Sequence, residues 1–155
     1  MNSIISKYII SLSLAAGLLF GVLASVPYFG TIALLSALFL IAPVVMILLI
    51  MSGKVDLTTA QDSIINGALA GFFGNITFSF AYCIVTAILY LAIKFTTNLF
   101  LTVMIINSPV WLLILVVLFT GVLTATTNAF SGFLTYYIIN LIRDLYAKKN
   151  ISKER

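Results

Sequence analysis

The chain has 155 residues, 63% of them hydrophobic and only 8% charged, with a mean hydropathy of +1.23. A soluble domain carries roughly 25% charged residues, so this composition excludes a water-solvated globular surface and predicts one small integral membrane domain over residues 1–155. The formal net charge of +4 comes mainly from the end of the chain, which excludes a nucleic-acid-binding face.

The first apolar span is expected at about 9–26, ended by the turn cluster Pro27-Tyr28-Phe29-Gly30. Within it Gly17, Gly21 and Ser25 recur every four residues and form a ridge of small side chains suited to close helix packing, including self-association. Val22-Leu23-Ala24 also has the small-residue pattern of a secretory cleavage site, so removal of the first helix after Ala24 is the alternative to its retention.

The second span is expected over about 31–51, covering roughly 31 Å at 1.5 Å per residue, enough for a hydrocarbon core of ~30 Å. Pro43 lies inside it and predicts a kink, and Ser52-Gly53 ends it. The stretch 54–62 is the distinctly polar internal segment. Thr59 followed three residues later by Asp62 resembles a capping box that opens the third helix.

The third and fourth spans are expected at about 64–93 and 110–142. Both exceed the thickness of a bilayer core and must tilt, kink or project from it. Between them, 95–108 is apolar but too short to cross, and it reads as an interfacial or re-entrant segment. A basic tail occupies 143–155, with Arg143, Lys148 and Lys149 as candidate contacts for anionic headgroups. The fold class is therefore all-α: a bundle of four transmembrane helices with a short extra segment before the last.

Charge placement orients this bundle. With four spans, seven of the eight Lys/Arg fall on one side (Lys7, Lys54, Arg143, Lys148, Lys149, Lys153 and Arg155) and only Lys94 on the other. Cytoplasmic loops carry the excess of Lys and Arg, so both termini are expected to be cytoplasmic and the location to be the cell membrane.

Small and polar residues concentrate on one face of each long helix. On the third, Gly67, Gly71, Gly74, Asn75, Ser79, Tyr82 and Thr86 fall within roughly 140° at 3.6 residues per turn. On the fourth, Thr120, Gly121, Thr124, Ala125, Thr127, Asn128, Ser131, Gly132 and Thr135 fall within about 160°. These faces are expected to meet. The meeting has two readings: a packing seam in which glycines allow close approach, or a polar cavity lined by Asn75, Ser79, Thr124, Thr127, Asn128 and Ser131.

Catalysis is not expected. There is no histidine, Cys83 is the single cysteine, and the four carboxylates (Asp56, Asp62, Asp144 and Glu154) all lie outside the apolar spans. The commonest general base and metal ligand is thus missing, no disulfide framework exists, and neither metal nor cofactor is expected. Expected partners are the lipid bilayer and a second copy or another membrane protein, with no nucleic acid. The function expected is a non-catalytic structural or accessory membrane module. The alternative is a small oligomeric channel or transporter with a polar path for a solute or ion between the third and fourth helices.

Two hydrophobic helices, a short polar loop, and then Asn66-Gly67-Ala68-Leu69-Ala70-Gly71-Phe72-Phe73-Gly74 opening a third make up a layout that resembles several families of small four-helix membrane proteins of bacteria and methanogenic archaea. The resemblance implies a prokaryotic multi-pass protein. Those families have no established activity, and no functional residue is carried over from them.

Overall fold

The computed structural model describes residues 3–26, 29–53 and 59–153. The turn residues Pro27 and Tyr28, the polar positions Lys54 and Asp56, and the terminal Glu154 and Arg155 lie outside the described residues. All described secondary structure is helical: α1 (Ser3–Ala24), α2 (Gly30–Phe39), α3 (Ile41–Met51), α4 (Ala60–Ile93), α5 (Leu99–Asn107) and α6 (Val110–Lys153). By length and apolarity α1, α4 and α6 can each cross a membrane, and α2 with α3, bent by 62°, is long and apolar enough only as a pair, so three or up to four helices can span.

Local chemistry sets these boundaries. At the start of α4 the Thr59 hydroxyl accepts a hydrogen bond from the Asp62 amide at 3.1 Å and donates one to the Asp62 carboxylate at 2.8 Å. The cap is therefore reciprocal, but the shorter Asp meets the hydroxyl where a Glu would reach the backbone amide. At the far end Lys94 closes α4 in the left-handed region (φ 54°). The Lys94 amide bonds to Tyr90 and the Phe95 amide to Leu89, taking up carbonyls that the helix end leaves free. The Lys94 ammonium lies 5.2 Å from the Tyr90 ring centroid, a cation–π contact at that end.

The segment expected to be interfacial or re-entrant folds as α5, capped by the Asn98 side chain, which accepts from the Leu101 amide at 3.1 Å. The Pro43 kink is a correction in position: the chain breaks at Leu40, three residues earlier. Proline lacks the amide that would bond to the carbonyl four residues back, and its ring crowds that carbonyl. The helix therefore breaks one turn before Pro43, which then sits in the first turn of α3, where amides lack intrahelical partners in any case.

Helix α4 is the centre of the bundle. A Cβ added at Gly17 or Gly21 of α1 would lie under 3.0 Å from the carbonyls of Gly74 or Phe78, so α1 rests directly on the α4 backbone. On another side of α4, Gly67 and Gly71 meet the Asn128 and Thr124 carbonyls of α6 in the same way. Gly132 of α6 meets Ser63 of α4 and Met46 of α3, and Gly74 receives the Ile41 side chain of α3.

These pairings also fix direction. Gly17 with Gly74 and Gly21 with Phe78 advance together, so α1 and α4 run parallel; Gly71 with Thr124 and Gly67 with Asn128 run in opposite senses, so α4 and α6 are antiparallel. The start of α1 and the end of α6 consequently lie at the same end of the bundle, and the end of α4 at the other. Ile41, Ala42, Val45, Met46 and Leu49 of α3 complete the core with Ile9, Ala70 and Phe78. The ridge of Gly17, Gly21 and Ser25 is thus filled within the chain by α4, a correction to its expected use in self-association.

Replacing these glycines tests the contact directly. Alanine raises helix propensity by up to ~1 kcal/mol, but a methyl group forced against a backbone carbonyl costs about 1–3 kcal/mol in overpacking. Gly21→Ala and Gly71→Ala are therefore expected to lower the thermal stability of the detergent-solubilised protein. Gly121→Ala, whose nearest neighbour is the Phe72 ring edge at 3.2 Å, is expected to be close to neutral. A melting series over the three variants checks the order.

Candidate functional site

The α2–α3 break leaves backbone groups without helical partners in the middle of the bundle, and one side chain of α6 satisfies them. Asn128 is fully buried. Its Oδ1 accepts from the Ala42 amide at 2.8 Å, while its Nδ2 donates to the Leu38 carbonyl at 2.9 Å and to Thr124 of its own helix at 3.0 Å, with Ala37 at the limit, 3.5 Å. Thr127 adds a bond from its hydroxyl to the same Leu38 carbonyl at 2.7 Å. Gly67 and Gly71 of α4 lie against the carbonyls of Asn128 and Thr124, so α6 is seated closely on α4 at the level where Asn128 meets the break.

Several other hydroxyls of the expected polar face are engaged close to home. Thr124 bonds to the Thr120 carbonyl at 2.7 Å and Thr135 to that of Ser131 at 2.8 Å, each one turn back. Ser131 bonds to the Asn128 carbonyl at 3.2 Å and borders an apolar groove between α3 and α6. Thr126, outside the expected arc, is exposed and bonds to its own helix at Val122. Ala125 borders a shallow depression with Phe72 and Val122. Ser25 bonds to the Gly21 carbonyl and receives a long contact from Thr86 at 3.5 Å. Arg143, Lys148 and Lys149 are exposed on the last turns of α6, far from the seam.

Asn75 occupies a second position on the α4–α6 face. Its Nδ2 donates to the Val117 carbonyl at 3.2 Å and the Thr120 hydroxyl at 3.1 Å, beneath Gly121. Beyond it the helices diverge. A cavity of about 310 Å³ opens there, walled by Leu34 and Leu38 of α2, Leu101 and Ile105 of α5, and Leu113 and Val117 of α6, with Asn75, Ser79, Tyr82 and Cys83 along α4.

The six polar residues expected in one seam are therefore divided. Thr127 and Asn128 clamp the break, Ser131 lies at the edge of the α3–α6 groove, and Asn75, Ser79 and Thr124 border the cavity, which is apolar apart from these, Thr120, Tyr82 and Cys83. Sequence reasoning did not find the groups Asn128 serves, because they are backbone atoms of Leu38 and Ala42. Pro43 was the available signal, since a proline inside a span implies freed backbone groups nearby. The α2 and α5 walls of the cavity carried no signal in sequence, being ordinary leucines and isoleucines. Among the described residues no group of three or more metal-ligating side chains comes together.

In comparison with known protein families, curated proteins and solved structures, the chain matches none.

Asn128→Leu is expected to leave the Ala42 amide and Leu38 carbonyl short of partners, at about 1–3 kcal/mol for each group that stays unsatisfied. Thr126→Val, which loses only a bond within its own exposed turn, is expected to change stability by under ~0.5 kcal/mol. Hydrogen exchange at the Ala42 amide distinguishes a local from a global effect: it should accelerate by more than tenfold in Asn128→Leu and remain unchanged in Thr126→Val.

Proposed function

We propose that the chain is a four-span integral protein of the cytoplasmic membrane that acts as a non-catalytic structural or accessory module. Its spans are α1, the broken α2–α3 pair, α4 and α6. The observation that carries this reading is the Asn128 clamp. In water a broken helix is satisfied by solvent, whereas in hydrocarbon every freed backbone group needs a protein partner, and Asn128 with Thr127 supplies them.

The surface supports the same environment. Phe80, Leu91, Phe119 and Phe130 are each more than 60% exposed, and they belong to an apolar exterior far larger than the few hundred Å² a soluble monomer tolerates. Lys7 stands near the start of α1 and Arg143, Lys148 and Lys149 near the end of α6, at one end of the bundle, with Lys94 at the other. That asymmetry supports cytoplasmic termini, with the basic end of α6 over anionic headgroups. Direct backbone contact of α1 with α4 at Gly17 and Gly21 supports a retained first helix over cleavage after Ala24.

A channel or transporter needs a hydrated route between α4 and α6. The Thr124 and Thr127 hydroxyls bond to carbonyls, and the backbones touch at Gly67 and Gly71, which supports the module. Its partners are then the bilayer and a further membrane protein or second copy seated on faces left apolar, such as the α3–α6 groove.

Two measurements test this. The full chain is expected to remain with membranes after alkaline washing, with a reporter at its C-terminus on the cytoplasmic side. In a Cys83→Ser background, Thr124→Cys is expected to resist a water-soluble maleimide applied from either side, while Lys149→Cys labels from the cytoplasmic side. Labelling of Thr124→Cys would put water in the seam and favour the channel.

A further inference from the structure

We infer that the cavity between α2, α4, α5 and α6 binds an uncharged amphiphile, a hydrocarbon chain or isoprenoid carrying a hydroxyl or carbonyl head; this rests on the membrane reading above. The argument starts from hydrogen bonding. Along the rest of the bundle, buried hydroxyls such as Ser13, Ser25, Thr124 and Thr135 bond to carbonyls of their own helices. The polar groups on the α4 wall of the cavity do not all follow this pattern.

Tyr82 and Asn75 are each 6% exposed and both line the cavity. Among the described residues the Tyr82 hydroxyl has no hydrogen-bond partner, and both bonds of Asn75 use Nδ2, leaving Oδ1 without a donor. The Ser79 hydroxyl, on the same wall one turn from Asn75, is also unpartnered among the described residues. Asn66 Oδ1 is the single fully enclosed side-chain polar atom without a partner among the described residues, so the free atoms of Asn75, Ser79 and Tyr82 keep some accessible surface, and all three residues line the cavity. Buried polar groups in native proteins find partners, and these three present one acceptor and two groups that both donate and accept.

The occupant follows from the rest of the wall. Among the described residues no Asp, Glu, Lys or Arg lines the cavity, so a charged head would lose its hydration without compensation. Leucine, isoleucine and valine from three helices suit a hydrocarbon body, and about 310 Å³ lies at the lower end of the ~300–1,000 Å³ usual for ligand pockets. A hydroxyl at the α4 wall would donate to Asn75 Oδ1 and accept from Tyr82.

The test uses the full chain in alkali-washed membranes, photolabelled with a long-chain alcohol that carries a diazirine in its chain, with labelled residues mapped by mass spectrometry. The label is expected on cavity residues such as Leu101 and Ile105, to be displaced by the unmodified alcohol and not by a phospholipid of the same chain length. Tyr82→Phe removes a hydroxyl that makes no bond among the described residues, so melting should be unchanged while labelling falls about three- to tenfold, the worth of one neutral hydrogen bond. Val117→Phe, which fills the cavity, should abolish it.

Label spread over outer positions such as Phe119 and Phe130 with no enrichment in the cavity would overturn the proposal. So would equal displacement by the phospholipid, which means an acyl tail only, or labelling within twofold of the parent in both variants. A chain stripped from membranes by alkali would instead overturn the membrane reading, and the proposal with it.

Discussion

A single side-chain amide, Asn128, allows a broken helix to sit in the middle of this bundle. The bend between α2 and α3 frees backbone groups at Leu38 and Ala42, and burial makes each of them expensive unless it is paired. Asn128 has the inventory the break needs: one oxygen to accept the Ala42 amide and two N–H groups for the Leu38 and Thr124 carbonyls. A threonine could supply only part of this, and a leucine none. With the break satisfied, Ile41 and Ala42 become fully buried core residues, and α3 packs between α1 and α6.

That amide reaches its targets because glycines remove the side chains that would hold the helices apart. In α4 they serve two partners. Gly67 and Gly71 admit α6, while Gly74 admits α3 beside Ser13 of α1, and the glycines of α1 (Gly17 and Gly21) meet α4 from their own side. In a bilayer, association gains little from hydrophobic burial and depends on close packing with interhelical hydrogen bonds. Each such bond is worth only about 0.6 kcal/mol on average. Contact along the whole length of α4 therefore contributes more than any one bond, while Asn128 determines where the broken helix sits.

The same geometry creates the cavity. The close approach ends at the level of Asn75 and Gly121, where Phe72 occupies the space beside Gly121. Above that level α2 and α5 supply walls of the cavity with α6, and those walls are mostly branched apolar side chains rather than backbone. A tight seam and an open pocket thus lie on one helix pair, less than two turns apart along α4. The hydroxyls of Ser79 and Tyr82 and the Asn75 amide oxygen are unpartnered among the described residues on the open side. At the tight end Thr124 and Thr127 bond to neighbouring carbonyls, and the enclosed Asn66 Oδ1 is left without a donor among the described residues.

Much of the architecture is legible in the residues alone. Apolar runs with few charges dictate helices long enough to cross a membrane, because backbone polar groups in hydrocarbon must be paired within their own segment. Thr59 with Asp62 and Ser52-Gly53 mark helix ends because capping is local chemistry between neighbours in sequence. The small faces of α4 and α6 are visible for the same reason: a helix repeats every 3.6 residues. Tertiary structure alone decided the rest. It set the break at Leu40 instead of Pro43, turned the Gly17–Gly21 ridge inward to α4, and divided one apparent polar stripe between a clamp and a cavity. Periodicity shows which residues share a face, but the partner of that face depends on the relative depth and direction of helices far apart in sequence, which no local spacing encodes.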